Sequence, residues 1–279
     1  MLYYISCMNK QETGLSRQTL DKFYTKPEIV KLCIKYLHEH IKINDTDLII
    51  EPSAGNGSFI EEIKKINCKH MFYDIEPQHP EIHKQDYLLF DAPLHNAIHI
   101  LGNPPFGRQS SLAKKFIKKS AEFCNTIAFI LPKSFKKDSL QQTFPLSFHL
   151  LCSIDLPDKS FLVGGNEHDV PCVFQIWQKQ IHNRNLLPIL EPRGFQFVKR
   201  TETPDISIRR VGVNAGKIDK NYGDKNEETH YFIKFTTVSV NSIDSLVEKL
   251  ASMKFEFNNT VGPRSISKQE LIAKMNAIL

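Results

Sequence analysis

The sequence has no long apolar run and no cysteine pair at metal-ligand spacing. A membrane-spanning helix needs about 20 consecutive apolar residues, so we expect a protein that does not span a membrane. The opening MLYYISCMNK lacks the basic flank and the length of a signal peptide, which predicts an intracellular protein, cytoplasmic or nucleoid-associated. The six cysteines are scattered, without a CxxC pair. This argues against a zinc site or a disulfide framework and predicts reduced thiols.

Acidic residues are scarce in one part of the chain. Between residues 103 and 137, Glu122 is the only acid, and the stretch holds eight basic residues: Arg108, Lys114, Lys115, Lys118, Lys119, Lys133, Lys136 and Lys137. A lysine run is often no more than a solvated helix face. Its position next to the candidate site described below favours a polyanionic partner.

Short apolar runs alternate with amphipathic stretches from about residue 47 to residue 177. The runs are DLIIE, HMFYDI, AIHIL, TIAFIL and CVFQIW. Continuous apolar strands separated by helices predict an α/β fold with a mostly parallel sheet covered on both faces. Beyond residue 182 the period is lost, so we expect two regions: residues 1–182, and a small α+β region over residues 183–279.

Capping signals predict two helix starts. In FYTKPEIVKLCIKYL, Thr25 is the predicted N-cap, with Pro27 in the first turn and Glu28 completing a capping box. Near the end of the chain, Ser267 and Glu270 have the same spacing.

A glycine-containing loop follows the first predicted strand of the sheet, in EPSAGNGSFIEE. Gly55 and Gly57 let the main chain turn sharply and approach a ligand. The loop lacks the third glycine of the dinucleotide fingerprint and the lysine of a P-loop, which disfavours NAD and ATP. About twenty residues later, Asp74 ends the second strand, where a carboxylate accepts the hydroxyls of a ribose. The loop and Asp74 together predict a nucleoside ligand. Asp86 follows the next connection, near the expected place of an adenine ring, and by itself it is equally compatible with a turn residue.

The segment ILGNPPFGRQ ends another predicted strand with two prolines. Proline cannot donate to a sheet ladder, so the strand must stop near Leu101 and continue as a rigid loop. Asn-Pro alone is compatible with an ordinary turn. However, ligands of parallel α/β sheets bind beyond the carboxyl ends of the strands, where Gly55, Asp74, Asp86 and Asn103 all converge.

Over residues 21–180 the chain resembles S-adenosylmethionine-dependent methyltransferases that modify amino groups, above all adenine-N6 enzymes of nucleic acids. The resemblance rests on DKFYTKPEIV, EPSAGNGSF, YDIEP, HKQDYLLF, NPPF and IAFILPKSF in this order. It implies the Rossmann-like class I methyltransferase sheet, mostly parallel with an antiparallel last strand, and S-adenosyl-L-methionine as cofactor. The implied cofactor-binding residues are Tyr24, Thr25, Glu51, Ser53, Gly55, Gly57, Asp74, Ile75, Asp86, Tyr87 and Asn103.

The resemblance also assigns the catalytic loop. Asn103, Pro104, Pro105 and Phe106 are the implied catalytic residues, with Phe106 and Phe161 stacking on the target base and Arg108 near it. In residues 183–279, IRRVGVNAGK is the predicted nucleic-acid contact strip, through Arg209, Arg210 and Lys217. The alternative for this region is a solvated domain that only supports the sheet.

DNA is favoured over RNA as the substrate, and no metal is expected. RNA is the alternative substrate, because NPPF also occurs in RNA enzymes of this family. In addition, many of its DNA enzymes have recognition domains larger than residues 183–279. Two further readings are methylation of a protein glutamine amide and a nucleic-acid-binding module without turnover.

Overall fold

The computed structural model describes residues 23–186, 188–236, 243–255 and 264–279. Cys7 and the first two residues of DKFYTKPEIV lie outside these ranges. The strands are β1 (Tyr24–Thr25), β2 (Leu48–Glu51), β3 (Lys69–Asp74), β4 (His83–Lys84), β5 (Ile98–Gly102), β6 (Thr126–Pro132), β7 (Phe148–Asp155), β8 (Phe161–Val163), β9 (Asn166–His168), β10 (Cys172–Lys179), β11 (Phe195–Val198), β12 (Ile206–Arg209), β13 (Ile218–Asp219) and β14 (His230–Phe235). The helices are α1 (Pro27–His40), α2 (Ile60–Ile63), α3 (Ser111–Ala121), α4 (Asp138–Gln141), α5 (Ile243–Ala251) and α6 (Lys268–Asn276).

The main sheet has the strand order β4-β3-β2-β5-β6-β10-β7. Strands β4, β3, β2, β5 and β6 pair in parallel, and β10 pairs antiparallel with both β6 and β7. This order, with the last strand of the sheet inserted antiparallel next to the edge, is that of the class I methyltransferase fold. The predicted α/β class and the antiparallel last strand are confirmed.

Two apolar cores cover the two faces of this sheet. Ile49 and Leu101 pack on the side of α1 and α2, whereas Ile50 and Ile100 pack on the side of α3. Neighbouring residues of a strand point to opposite faces, so continuous apolar runs are needed here. No helix within the described residues is long and apolar enough to cross a membrane.

A small antiparallel sheet, in the order β1-β8-β9, lies beside the main one. Thr25 pairs with Phe161 in this sheet, so its backbone is extended and it does not cap α1. The N-cap of α1 is Lys26, whose side chain makes no capping bond. The predicted capping box of Thr25 and Glu28 is therefore wrong, because strand pairing takes up Thr25. Pro27 does open the helix, as predicted.

Residues after 194 form a four-stranded antiparallel sheet in the order β11-β14-β12-β13, with its own apolar core. Leu246 and Leu271 of helices α5 and α6 pack against Ile206 and Ile233 of the sheet. The predicted capping box of Ser267 and Glu270 is confirmed at the start of α6. The main sheet's last strand ends at Lys179 and β11 begins at Phe195, on either side of the boundary placed at residue 182.

A half-buried lysine joins the C-terminal region to the main sheet. Lys137 follows a short turn beyond the carboxyl end of β6, and its Nζ donates to the main-chain oxygen and the Oγ of Ser265, at 3.2 and 3.3 Å. Burial lowers the pKa of Lys137. Ser265 also bridges to Val211, inside the predicted contact strip. The strip is thus connected to the edge of the sheet where ligands are expected.

Candidate active site at the carboxyl edge of the sheet

A cavity of about 310 Å³ opens at the carboxyl ends of β2, β3 and β5. Ten predicted cofactor-binding residues form part of its wall: Tyr24, Thr25, Glu51, Ser53, Gly55, Asp74, Ile75, Asp86, Tyr87 and Asn103. Side chains separated by up to 79 positions in the chain thus meet around one space. The size is that of a small-molecule site.

The glycine loop is held to the end of β3 by a carboxylate. Asp74 accepts the main-chain N–H of Gly55 at 2.7 Å and that of Glu76 at 2.8 Å. Gly55 has φ +54°, and a Cβ there would approach the Tyr24 ring to 3.2 Å. Each carboxylate oxygen accepts more than one hydrogen bond, so Asp74 positions the loop and still faces the cavity.

Glu51 is a buried carboxyl group in the cavity wall. It is 2% exposed, and its Oε2 has no hydrogen-bond partner within the described residues. Burial, with a smaller contribution from the negative charge of Asp74, raises the pKa of Glu51 well above its usual range. A buried polar atom without a partner is costly unless a ligand satisfies it. Glu51 therefore fits a cationic ligand group that donates hydrogen bonds.

Tyr24 covers the glycine loop from the other side. Its hydroxyl donates to Oε1 of Gln78 at 2.8 Å, which connects β1 to the segment after β3. Sequence reasoning missed Gln78, because an exposed glutamine in a loop gives no pattern. It also missed Leu112 and Phe116, which line the cavity from α3. Their spacing of four residues, which puts both on one helix face, was the available signal.

Two predicted cofactor residues, Tyr87 and Gly57, have structural roles in the core and in a turn. The Tyr87 side chain is buried in the core, where its hydroxyl shares a 2.9 Å hydrogen bond with Ser120. Tyr87 is nevertheless part of the cavity wall. Gly57 is not part of the cavity wall. At φ +84° a Cβ there would lie 2.9 Å from Ile60 and 3.1 Å from His79, so Gly57 serves the turn into α2.

Asn103 connects the catalytic loop to β1. Its Nδ2 donates to the main-chain oxygen of Phe23 at 3.0 Å and to Thr25 Oγ1 at 3.2 Å. Its own main-chain oxygen accepts the hydroxyl of Ser53 at 3.2 Å. The Asn-Pro-Pro-Phe loop is therefore tied both to β1 and to the glycine loop.

The connection from this loop to α3 has an unusual backbone. Gly107, Gln109 and Ser110 all have positive φ, at +66°, +52° and +60°. The main-chain oxygen of Phe106 accepts the N–H groups of Leu112 and Ala113, at 3.1 and 3.3 Å. Non-glycine residues in the left-handed region cost energy and persist only where the surroundings enforce them, so the loop is held against α3.

The two predicted stacking aromatics are buried. Phe161 is fully buried in β8 and makes an edge contact with Phe23, with ring centroids 6.2 Å apart. Because no ring face is open, the predicted role of Phe161 as a base-stacking residue does not agree with this structure. Phe106 is 7% exposed. It lies next to Pro105, which does line the cavity.

The basic surface around the site is smaller than the sequence indicates. Asp155 of β7 binds Lys133 at 2.9 Å and Lys136 at 3.1 Å, and Lys119 pairs with Glu122 at 3.0 Å. Asp155 was not anticipated because it comes from a strand far along the chain. Within the described ranges, Arg108, Lys114, Lys115 and Lys118 form no ion pair with an acid.

The predicted contact strip folds as a tight turn. The N–H of Arg209 donates to Lys217 and that of Gly216 to Arg209, so the three predicted basic residues lie together. Arg209 Nε donates to the main-chain oxygen of Val211 at 3.0 Å, which uses part of its guanidinium inside the turn. The exposed Arg210 lies over the ring of Tyr231, 5.1 Å from its centroid. Lys217 is exposed.

The cavity fits S-adenosyl-L-methionine. Glu51 offers a buried acceptor for an ammonium group, and Asp74 offers carboxylate oxygens for ribose hydroxyls. Ile75, which is 53% exposed although apolar, gives an apolar surface for an adenine ring. Asp86, whose Oδ1 accepts the N–H of Leu88 at 2.9 Å, lies beside that surface.

No family model matches this chain. The chain is 28% identical over 189 residues to the protein ENHANCED DOWNY MILDEW 2 of Arabidopsis thaliana, which covers 63% of this chain and 14% of that protein. It is 29% identical over 120 residues to the Type II methyltransferase M.HincII of Haemophilus influenzae, covering 39% of this chain and 23% of that protein. The chain thus spans less than a quarter of the length of either relative.

Solved structures with a similar fold include the methyltransferase subunit of a type I restriction-modification system from Streptococcus thermophilus. The identity is 13% and the TM-score 0.44, with 88% of this chain and 59% of that chain covered. By its strand order and by the sequence of its motifs, the chain resembles S-adenosylmethionine-dependent methyltransferases of the adenine-N6 kind.

Proposed function

We propose that the chain transfers a methyl group from S-adenosyl-L-methionine to the exocyclic N6 amine of adenine in nucleic acid, with DNA favoured over RNA. One observation carries this proposal. Asn103, at the start of the Asn-Pro-Pro-Phe loop, lies in the wall of the same cavity as Glu51 and Asp74. The match to a Type II methyltransferase supports methyl transfer as the activity.

The bound cofactor supplies a methyl group already activated on a sulfonium. The chain's part is to make the amine nucleophilic, because the lone pair of an adenine amine is delocalised into the ring. Asn103 Oδ1 and the Pro104 carbonyl accept its two N–H bonds, which draws the nitrogen towards tetrahedral geometry. The nitrogen lone pair forms a bond to the methyl carbon while the carbon–sulfur bond breaks and its electron pair stays on the sulfur. The nitrogen then releases one proton to solvent. The prolines keep both acceptors aligned without reorganisation, the type of preorganisation that contributes several kcal/mol to catalysis.

The target base has to leave its stack to reach this loop, which costs a few kcal/mol. Stacking on Phe106 offsets part of that cost. Because the Phe106 ring is 7% exposed, it must be uncovered as the base enters. Arg108 and the α3 lysines, together with Arg210 and Lys217, supply positive charge for the phosphates.

Mass spectrometry of nucleosides tests the proposal. The protein is incubated with S-adenosylmethionine carrying a deuterated methyl group and with duplex DNA, single-stranded DNA or RNA. We expect the label in N6-methyl-deoxyadenosine. Label in N6-methyladenosine makes RNA the substrate, and label on cytosine or on a protein glutamine contradicts the adenine assignment. Cofactor binding without any transfer would indicate a binding module.

A further inference from the structure

The side-chain amide of Asn103 can take two orientations that differ by half a turn. One turns its oxygen towards β1, and the other turns its nitrogen there. A main-chain carbonyl only accepts hydrogen bonds, so the 3.0 Å contact with the Phe23 oxygen requires the nitrogen. The amide oxygen then points away from β1. This is the orientation that an acceptor for an amine needs.

Thr25 provides the second acceptor for the same nitrogen, at 3.2 Å. Its side chain is 4% exposed, and its backbone is fixed by the pairing with Phe161. The next residue, Lys26, extends this anchoring, since its N–H donates to the Ser160 oxygen at 3.1 Å and its Nζ pairs with Glu167. The backbone that carries the Thr25 hydroxyl is therefore held in place by its pairing with β8 and by the ion pair of Lys26 with β9.

We propose that Thr25 is a positioning residue for Asn103. Its Oγ1 and the Phe23 carbonyl together hold the amide nitrogen, so that Oδ1 faces the amine to be methylated. In the opposite orientation the Asn103 amide would present N–H donors to the N–H donors of the amine, and catalysis would be lost. The role rests on the proposed function, and it differs from the cofactor contact predicted for Thr25.

The matched variants are Thr25→Val and Thr25→Ser. Valine keeps the branched shape but removes the hydroxyl, and serine keeps the hydroxyl but removes a methyl group. Positioning predicts that Thr25→Val lowers kcat about tenfold or more, with KM for nucleic acid and Kd for S-adenosylmethionine changed less than about threefold. Thr25→Ser should recover most of kcat. Thermal melting and circular dichroism identify a folding defect, in which case Thr25→Ala replaces the valine variant.

If the wild-type protein is active, either of two outcomes overturns the proposal. A valine variant with wild-type kcat means that the hydroxyl does not matter. A valine variant that loses cofactor affinity in parallel with kcat makes Thr25 a cofactor ligand.

A second readout does not depend on activity. In protein labelled with ¹⁵N-asparagine, the side-chain signals of Asn103 are assigned by their absence in Asn103→Ala. Hydrogen bonds from Nδ2 predict slow hydrogen exchange in the wild type and in Thr25→Ser, and exchange at least tenfold faster in Thr25→Val. Equal exchange in all three overturns the positioning role. If the exchange changes as predicted but no substrate is methylated, the proposed function has failed and the positioning has not.

Discussion

The main-chain N–H of Gly55 donates to Asp74 Oδ2 at 2.7 Å, so the carboxylate that we propose as the acceptor of the ribose hydroxyls also holds the glycine loop. Substitution of Asp74 therefore has two expected effects. Asp74→Ala should weaken S-adenosylmethionine binding by about 1.5 to 3 kcal/mol, as for hydrogen bonds to a charged group. It should also lower the melting temperature, since the N–H groups of Gly55 and Glu76 lose their acceptor.

Calorimetry and thermal melting measure both effects. Asp91→Ala is the matched control, since Asp91 is exposed and outside the cavity wall. Unchanged affinity in a folded Asp74→Ala protein would remove Asp74 from the cofactor site.

Glu51 makes cofactor binding depend on pH. In the free protein its pKa is raised, so it holds a proton at pH values where an ordinary glutamate is ionised. The ammonium group of the cofactor favours the carboxylate, so binding releases this proton. We expect the affinity to rise with pH until Glu51 is ionised in the free protein. Titration calorimetry in buffers of different ionisation enthalpy measures the proton release, and Glu51→Gln should abolish it.

The same raised pKa destabilises the unliganded protein. Folded Glu51 binds its proton more tightly than the unfolded chain does, so its contribution to the free energy of unfolding falls as pH rises from the unfolded pKa to the folded pKa. The loss is about 1.4 kcal/mol for each pKa unit. Glu51→Gln should thus raise the melting temperature at neutral pH and leave it nearly unchanged below pH 4. A variant that melts lower at neutral pH contradicts this account.

Arg210 and Lys217 should contribute to nucleic-acid affinity through phosphate contacts. Arg210→Ala and Lys217→Ala are each expected to flatten the dependence of log K on log salt concentration by about one unit. Lys42→Ala is the control, because Lys42 is exposed and precedes the amino end of β2. Fluorescence anisotropy at several salt concentrations gives the slopes. If both variants keep the wild-type slope, this strip does not read nucleic acid.

Strands β2, β5 and β6 could be predicted because both of their faces are buried, so that LII within DLIIE and IAFIL within TIAFIL are continuous apolar runs. Strand β7 was missed since only Phe148 and Cys152 are buried in it and its other residues are half-buried or exposed. The wrong N-cap at Thr25 and the unexpected burial of Phe161 share one cause: these residues pair with each other across 136 positions of the chain. The spacing of Thr25 and Glu28 is typical of a helix cap, but it contains no information on a strand partner so far along the chain.

The cavity residues were predictable from their places at strand ends, but their orientations were not. Tyr87 follows Asp86 directly, yet its side chain turns into the core and bonds Ser120. Similarly, Asp155 forms ion pairs with two lysines that look free in the sequence. Both depend on side-chain packing between distant elements.

Asn103 is proposed to act on the amine and not on the cofactor. The most direct test compares wild type and Asn103→Ala in single-turnover methyl transfer to an adenine-containing substrate, with Kd for S-adenosylmethionine measured alongside. Loss of one acceptor predicts a rate lower by on the order of a hundredfold or more with little change in Kd. A variant that transfers methyl groups at the wild-type rate would contradict the account and leave the Asn-Pro-Pro-Phe loop as an ordinary turn.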